Sequence, residues 1–538
     1  MKRRFVLVFL VMAIAFSAGA QGNNEKAVQS AKDQVDLKSM EPISEYPIKS
    51  EKPITLTYWV PLPGPVSKYI SNFSESPAYQ QMEKDTGVHI EFIHPAIGQE
   101  AEQFNLMMAS GKLPDIIADP ALYKGGEFQA MDDGVILDLT DLIPVYAPDY
   151  YKYIKSNKQF ALEVSDANGR IPCVYSYKIP GDTPYRRIMF RQDVLDQIGE
   201  KVPQNLDDYE RIFQKMKDLG MAPYMLNKQG YEEQFACLFD TYVSDMGLWY
   251  KDLEGKVHYG PNEPGFKDYL SLLHKWYAAG YISKDFASAS ASEAQKMFDA
   301  KQVGMIVDAV VATYNRNMVQ GYTATSTPYP RLYPGQKLHY ERNDASFKML
   351  QVQTFAAISK DCKNPEIALR VLNYGYTEKG AELLNWGVQG LNWDYVDGKR
   401  TYNDLMLKNP KMGTEEASYF YKMHFAPKLN YPDVEVHANL LKSPGSLEIR
   451  KRYGNDPNMD SAWILPPLQQ TTEEMNRLTK ITTDVDTYVG EMTLQFIIGT
   501  ASLEKDYDSF KKTIESMGIN EAIAIKQAAY DRYVSKKI

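Results

Sequence analysis

The sequence predicts an α/β protein built as two lobes. Short β-branched or aromatic runs alternate with amphipathic stretches, the pattern of a mainly parallel sheet wrapped by helices. The chain has 538 residues, and a length of that order exceeds what a single hydrophobic core organises, so at least two lobes are needed. Two extended stretches, 170–177 and 185–191, follow one another across a Pro/Gly loop, and helical patterns dominate beyond them.

The first residues read as an export signal. Lys2, Arg3 and Arg4 precede an apolar run from Phe5 to Phe16, and the small residues Ser17, Ala18, Gly19 and Ala20 follow. That run is short of the roughly 20 residues a spanning helix needs, so cleavage after Ala20 is expected rather than anchoring. Residues 21–50 are charged and rich in Ser, Asn and Lys, which suits a flexible tether. Ile54 to Val60 reads as a first strand, stopped by Pro61, Pro63, Gly64 and Pro65.

Glu75 to Thr86 reads as a helix ended by Gly87, and Val88 to Ile93 as the next strand. Ala101 to Ala109 is a second helix closed by Gly111, and Leu113 to Ala118 a short buried strand. The loop beyond such a strand's carboxyl end is where open α/β sheets bind ligands. Helices are then expected at 206–219, 266–279, 292–300, 364–374 and 380–385, with long amphipathic ones at 472–498 and 507–537. No repeat or low-complexity tract is visible.

Composition narrows the function classes. The formal charge is −9, and loss of the three basic signal residues makes the mature chain more acidic still, which disfavours nucleic acid and anionic membranes as partners. The three cysteines, Cys173, Cys237 and Cys362, are widely spaced with no CxxC, which argues against a zinc or redox pair. None directly follows Ala20, so the mature chain is expected without lipid, in the periplasm. The 38 tyrosines favour stacking on carbohydrate, although any single aromatic serves the core equally well.

Five patches in order, spanning nearly the whole mature chain, carry a resemblance. They are LTYWVPLPG at 56–64; ASGKLPDIIADPALYKGGEF at 109–128 with GVILDLTDLI at 134–143; NGRIPCVYSYKIPGDTPYRRIMFRQDVLDQIG at 168–199; FDAKQVGMIVDA at 298–309; and the stretch from QTFAAISKDC to YVDGK at 353–399. Together they resemble extracellular solute-binding family 1, the group of maltose-binding protein, and especially its large lipoprotein-type branch. The resemblance implies a type II periplasmic binding protein whose lobes, joined by hinge segments, close over a sugar or oligosaccharide. It implies a membrane permease of an ABC-type uptake transporter as partner, a monomer, no cofactor and no catalytic residue. Lobe one is expected to hold 51–180 and 350–390, and lobe two 181–349 and 391–538.

A sugar presents hydroxyls at its rim and weakly polar C–H faces, so its cleft needs planar rings beneath and polar groups beside it. The resemblance places Trp59 and Asp119 at the ligand, with Tyr123 in the Asp119 loop. Asp119 could equally cap the turn before Pro120. In the crossing patch, Tyr175 and Tyr177 are two apart on an extended stretch, and Arg186, Arg187 and Arg191 are the cations nearest the hinge. Tyr177 and Arg187 complete the expected set there. Asp308 follows the GMIV strand; DAVVATY lacks the Trp the family pattern carries there, leaving Tyr314 or Trp249 to replace it. Trp386 and Trp393 flank Gly387 and Gly390, which suggests tight backbone beside a cleft.

Asp166-Ala167-Asn168-Gly169 begins like a calcium loop, but Arg170, Ile171, Pro172 and Cys173 supply no further carboxylate, so a turn is expected and no metal. The competing reading is a secreted glycosidase-like enzyme, with a peptide-like solute as a second alternative. No nucleophile elbow, P-loop, HExxH or dinucleotide fingerprint is present.

Overall fold

The computed structural model describes residues 37, 40–179, 186–226, 233–241, 248–339, 355–423, 426–431, 436, 440, 458–459 and 462–536. The expected export signal and most of the tether lie outside these residues. Residues 40–50, expected in the tether, are fastened to the first lobe. The Ile43 amide donates to the Val145 carbonyl at 2.8 Å, and the Tyr46 hydroxyl to the Arg370 carbonyl at 2.7 Å.

Two sheets organise the chain. The first runs His89–Ile93, Thr55–Trp59, Ile116–Ala118, Phe355–Ile358, Val174–Tyr175. Its first three strands are parallel, and Phe355–Ile358 is antiparallel to both neighbours. The second runs Ala324–Ser326, Arg186–Arg191, Val303–Ala309, Ala222–Tyr224, with the middle pair antiparallel. Each sheet has its own core. Leu56, Tyr58, Ile116 and Ala356 belong to one, and Ile188, Phe190, Met305 and Trp276 to the other.

Local signals set most element ends. The helix Pro77–Thr86 stops at Gly87 and Glu100–Ser110 at Gly111, both glycines in the left-handed region with φ of 74° and 69° that disfavours a Cβ. The long helix Thr472–Ile498 opens on a capping box in which Thr471 and Glu474 exchange side-chain and backbone bonds. The helix expected over 507–537 is two, Tyr507–Ser516 and Ile519–Ser535. Gly518, at φ 102°, breaks the run so that Ile519 and Ala522 turn into the second core.

The boundary expected at 390 moves. Residues 391–423 and 426–431 stay with the first lobe: Met423, Ala426 and Leu429 lie in its core, and Leu429–Asn430 pairs in parallel with Tyr177–Lys178. The Ser76 hydroxyl donates to the Phe420 carbonyl at 2.7 Å, closing the same contact from the other side.

Candidate functional site

The carboxyl end of the first sheet carries the most unusual chemistry. The strand Ile116–Ala118 is wholly buried and ends at Asp119, whose backbone sits in the left-handed region at φ 50°. A non-glycine residue there is strained, and such strain concentrates at working sites. Two contacts hold it: its amide donates to the Phe355 carbonyl at 3.2 Å, and its carbonyl accepts the Leu122 amide at 3.2 Å. The side chain makes no capping bond to the Pro120–Leu122 turn, and Oδ1 is buried with no hydrogen-bond partner. Burial raises the carboxyl's affinity for its proton.

Beside it stands Glu127, in the first turn of the helix Gly126–Asp132. Its Oε1 accepts the Tyr175 hydroxyl at 3.1 Å. Burial raises this carboxyl too, and the Asp119 charge adds to the effect. Tyr175 lies opposite Phe355 in the sheet register and stacks on it, ring centroids 5.1 Å apart at 17°. The same burial keeps the Cys173 thiol protonated. The result is a carboxylate-lined patch on an aromatic pair, rich in acceptors for a hydroxyl-bearing ligand.

The other expected residues have different duties. Trp59 is 3 % exposed and meets Phe104 edge-on at 5.5 Å, in a small cluster with Ile117. Its ring is taken by the helix Glu100–Ser110, which corrects the expectation of an open stacking platform. Tyr123 donates to Asp133 at 2.7 Å, and burial together with that carboxylate pushes its hydroxyl up to about 12. Tyr177 is buried against Tyr153 and Phe160 at 4.7 and 5.0 Å. Trp386 and Trp393 are 1 % exposed, 5.8 Å apart, and pack with Tyr402 in a satellite core. Gly387 permits that packing, since a Cβ there would fall 2.5 Å from Asn392 Oδ1.

On the second lobe, Asp308 and Arg187 face each other across the sheet register. Asp308 is not a free acceptor. It receives Arg316 at 2.7 Å, Thr313 at 2.9 Å, Gln295 at 3.2 Å and the Ala309 amide at 2.8 Å. Those bonds fix the start of the helix Val310–Gln320 to the strand end, so Asp308 holds the wall together. Arg187 is buried with its guanidinium 3.8 Å from the Tyr329 ring centroid. Of the substitutes for the missing Trp, Tyr314 is buried and Trp249 packs against Tyr259, ring centroids 4.8 Å apart at 46°.

Two residues of the patch escape sequence reading, as does one ring of the second lobe. Glu127 follows the glycine pair Gly125–Gly126 eight positions after Asp119, and that proximity was its one local sign. Phe355 has none, because only strand pairing brings it beside Asp119 and Tyr175. Trp463, in the second lobe, stacks with His339 and Tyr250, ring centroids 4.3 and 5.4 Å apart.

Comparison with known proteins fits this architecture. Residues 68–382, more than half of the chain, match the model of the bacterial extracellular solute-binding protein family. The fructooligosaccharide ABC transporter substrate-binding protein FusA of Streptococcus pneumoniae serotype 4 (strain ATCC BAA-334 / TIGR4) is 23 % identical over 485 residues, covering 85 % of this chain and 87 % of that one. An extracellular solute-binding protein from Bifidobacterium longum subsp. infantis superposes with a TM-score of 0.72 at 16 % identity, over 91 % of this chain and all of its own. The alginate-binding protein AlgQ2, in a crystal structure without calcium ion, gives 0.67 at 23 % identity, over 90 % of this chain and 99 % of that one.

That last likeness raises calcium, which the Asp166 loop does not fit. The Arg170 guanidinium fills the gap between two carboxylates, 2.7 Å from Asp132 Oδ1 and 2.6 Å from Asp166 Oδ2. The other Asp166 oxygen accepts the Asn168 and Arg170 amides, both at 2.8 Å. The loop carries its cation in its own chain. With two principal sheets, each on its own core, and a match over more than half its length, the chain belongs to the family of bacterial extracellular solute-binding proteins.

Proposed function

We propose that the chain captures a sugar or oligosaccharide between its two lobes and hands it to the membrane permease of an ABC-type uptake transporter. The observation that carries this reading is Asp119: a buried carboxylate oxygen with no partner, on strained backbone, at the ligand-binding end of a sheet. Sugar hydroxyls satisfy such an acceptor. Glu127, braced by Tyr175, offers a second acceptor, and the Tyr175–Phe355 pair gives the patch its aromatic base. Relatives named for fructooligosaccharide and alginate support the carbohydrate class.

The family role supports capture without turnover, and in this reading the mature protein works unlipidated in the periplasm. No helix among the described residues is long and apolar enough to cross a membrane. The decisive experiment is native mass spectrometry of the solute retained through purification, followed by calorimetry with neutral and uronate-containing oligosaccharides. A retained sugar that binds again unchanged, and binds worse to Asp119→Asn, is the expected result. Retention of a peptide, or release of cleaved sugar, would replace the reading with a peptide receptor or a glycosidase.

A further inference from the structure

The last helix belongs to the second lobe but ends on the first. Ile519 and Ala522 lie in the second core, and Gln527 binds the Val257 amide and the Gly255 carbonyl of that lobe at 2.8 and 3.0 Å. Just past the helix, the Lys536 ammonium donates to the carbonyls of Leu162, at 2.8 Å, and Ser165. Those carbonyls close the helix Lys158–Val164, whose Phe160, Ala161 and Val164 are in the first core. A helix's carboxyl end leaves carbonyls unpaired and favours a cation there.

A second donor reaches the same point. Gln469 Nε2 donates to the Ser165 carbonyl at 2.8 Å, while the Gln469 carbonyl accepts Arg532 at 3.3 Å. Arg532 is fixed in turn by Glu474, at 2.9 Å from its other amino group. Two side chains supported by the second lobe thus converge on one turn of the first.

We propose that Lys536 and Gln469 form a latch between the lobes, holding them at the separation seen here and setting the balance between open and closed forms. The latch goes beyond the capture reading, because it acts whatever the solute is. A ligand shifts such a balance only by its differential affinity, so a contact that favours one arrangement changes the starting point of every binding event.

Lys536 stands among other ionisable groups. Facing Lys536 are Glu163 and Asp166 from the first lobe and the Tyr533 ring, 5.5 Å away, from its own helix. Asp166 is already paired with Arg170, as Arg532 is with Glu474. Glu163 is 4 % exposed; Oε1 accepts Gln159 at 2.9 Å, and Oε2 has no partner. Burial pushes the Glu163 carboxyl up to about 8 and the Lys536 ammonium down to about 8.

The test is a distance measurement by pulsed electron resonance on the full-length protein. One spin label replaces Leu106 in the first lobe and one replaces Leu253 in the second, 63 % and 62 % exposed, while the native cysteines are buried. In the Lys536→Ala, Gln469→Ala variant the population outside the native distance should rise on the order of tenfold, the size expected for lost bonds to a charged group. Lys536→Arg should restore it. Identical distributions in the double variant and the parent overturn the latch. Should the double variant fail to fold, Gln469→Ala alone is compared with the parent, and identical distributions there overturn the latch as well.

Discussion

Tyr175 donates its hydroxyl to Glu127 at 3.1 Å, tying the edge strand of the first sheet to the helix that follows Asp119. That bond orients Glu127 while leaving Asp119 Oδ1 unpartnered. One carboxylate is braced and the other is poised, a division that suits an acceptor site more than a structural pair.

Replacing Asp119 by Asn should weaken sugar binding by about 1.5–3 kcal/mol, the range for hydrogen bonds to a charged group. Calorimetry reads it. The sign for stability is opposite. The Asp119 carboxyl is raised by burial in the folded state, so its contribution is present in acid and lost as pH rises through its folded value. Asp119→Asn should therefore raise Tm at neutral pH and have little effect in acid; a lower Tm at pH 7 would show that the carboxylate is needed for folding.

Asp308→Ala should cost about 3 kcal/mol of stability while sugar affinity changes little. It removes the carboxylate that fixes Arg316 and leaves that guanidinium with Asp299 and the Thr313 hydroxyl. Denaturant unfolding beside calorimetry separates the two effects, and a large affinity loss at unchanged stability would return Asp308 to the ligand.

Trp59→Ala should destabilise by about 3–5 kcal/mol, the cost of emptying a ring-sized space against Phe104 and Ile117. Trp59→Phe should recover much of that. A variant that keeps its midpoint in urea but loses sugar binding would show that the ring reaches the cleft after all.

Arg170→Gln should lower stability by about 1 kcal/mol at low salt, since Asp132 and Asp166 lose the cation between them. The parent's Tm should be indifferent to millimolar calcium or chelator. A calcium-dependent rise in the parent would mean that the guanidinium yields its place.

The sequence by itself determined the elements and the family. Gly87 and Gly111 end their helices because their backbone lies where a Cβ is disfavoured, and the apolar period of 472–498 needs no partner to be seen. The family resemblance marked Asp119 as a candidate site residue, just after a short apolar strand and before Pro120. Only the tertiary structure decided which residues share that site. Phe355 and Tyr175 are 180 positions apart and meet through strand pairing; Trp59, Trp386 and Trp393 resemble cleft residues locally, yet each is covered by an element from elsewhere in the chain. The physical reason is that hydrogen-bonded periodicity and backbone preference are local, whereas burial is assigned by neighbours distant in sequence, and burial separates the free carboxylate of Asp119 from the spent one of Asp308.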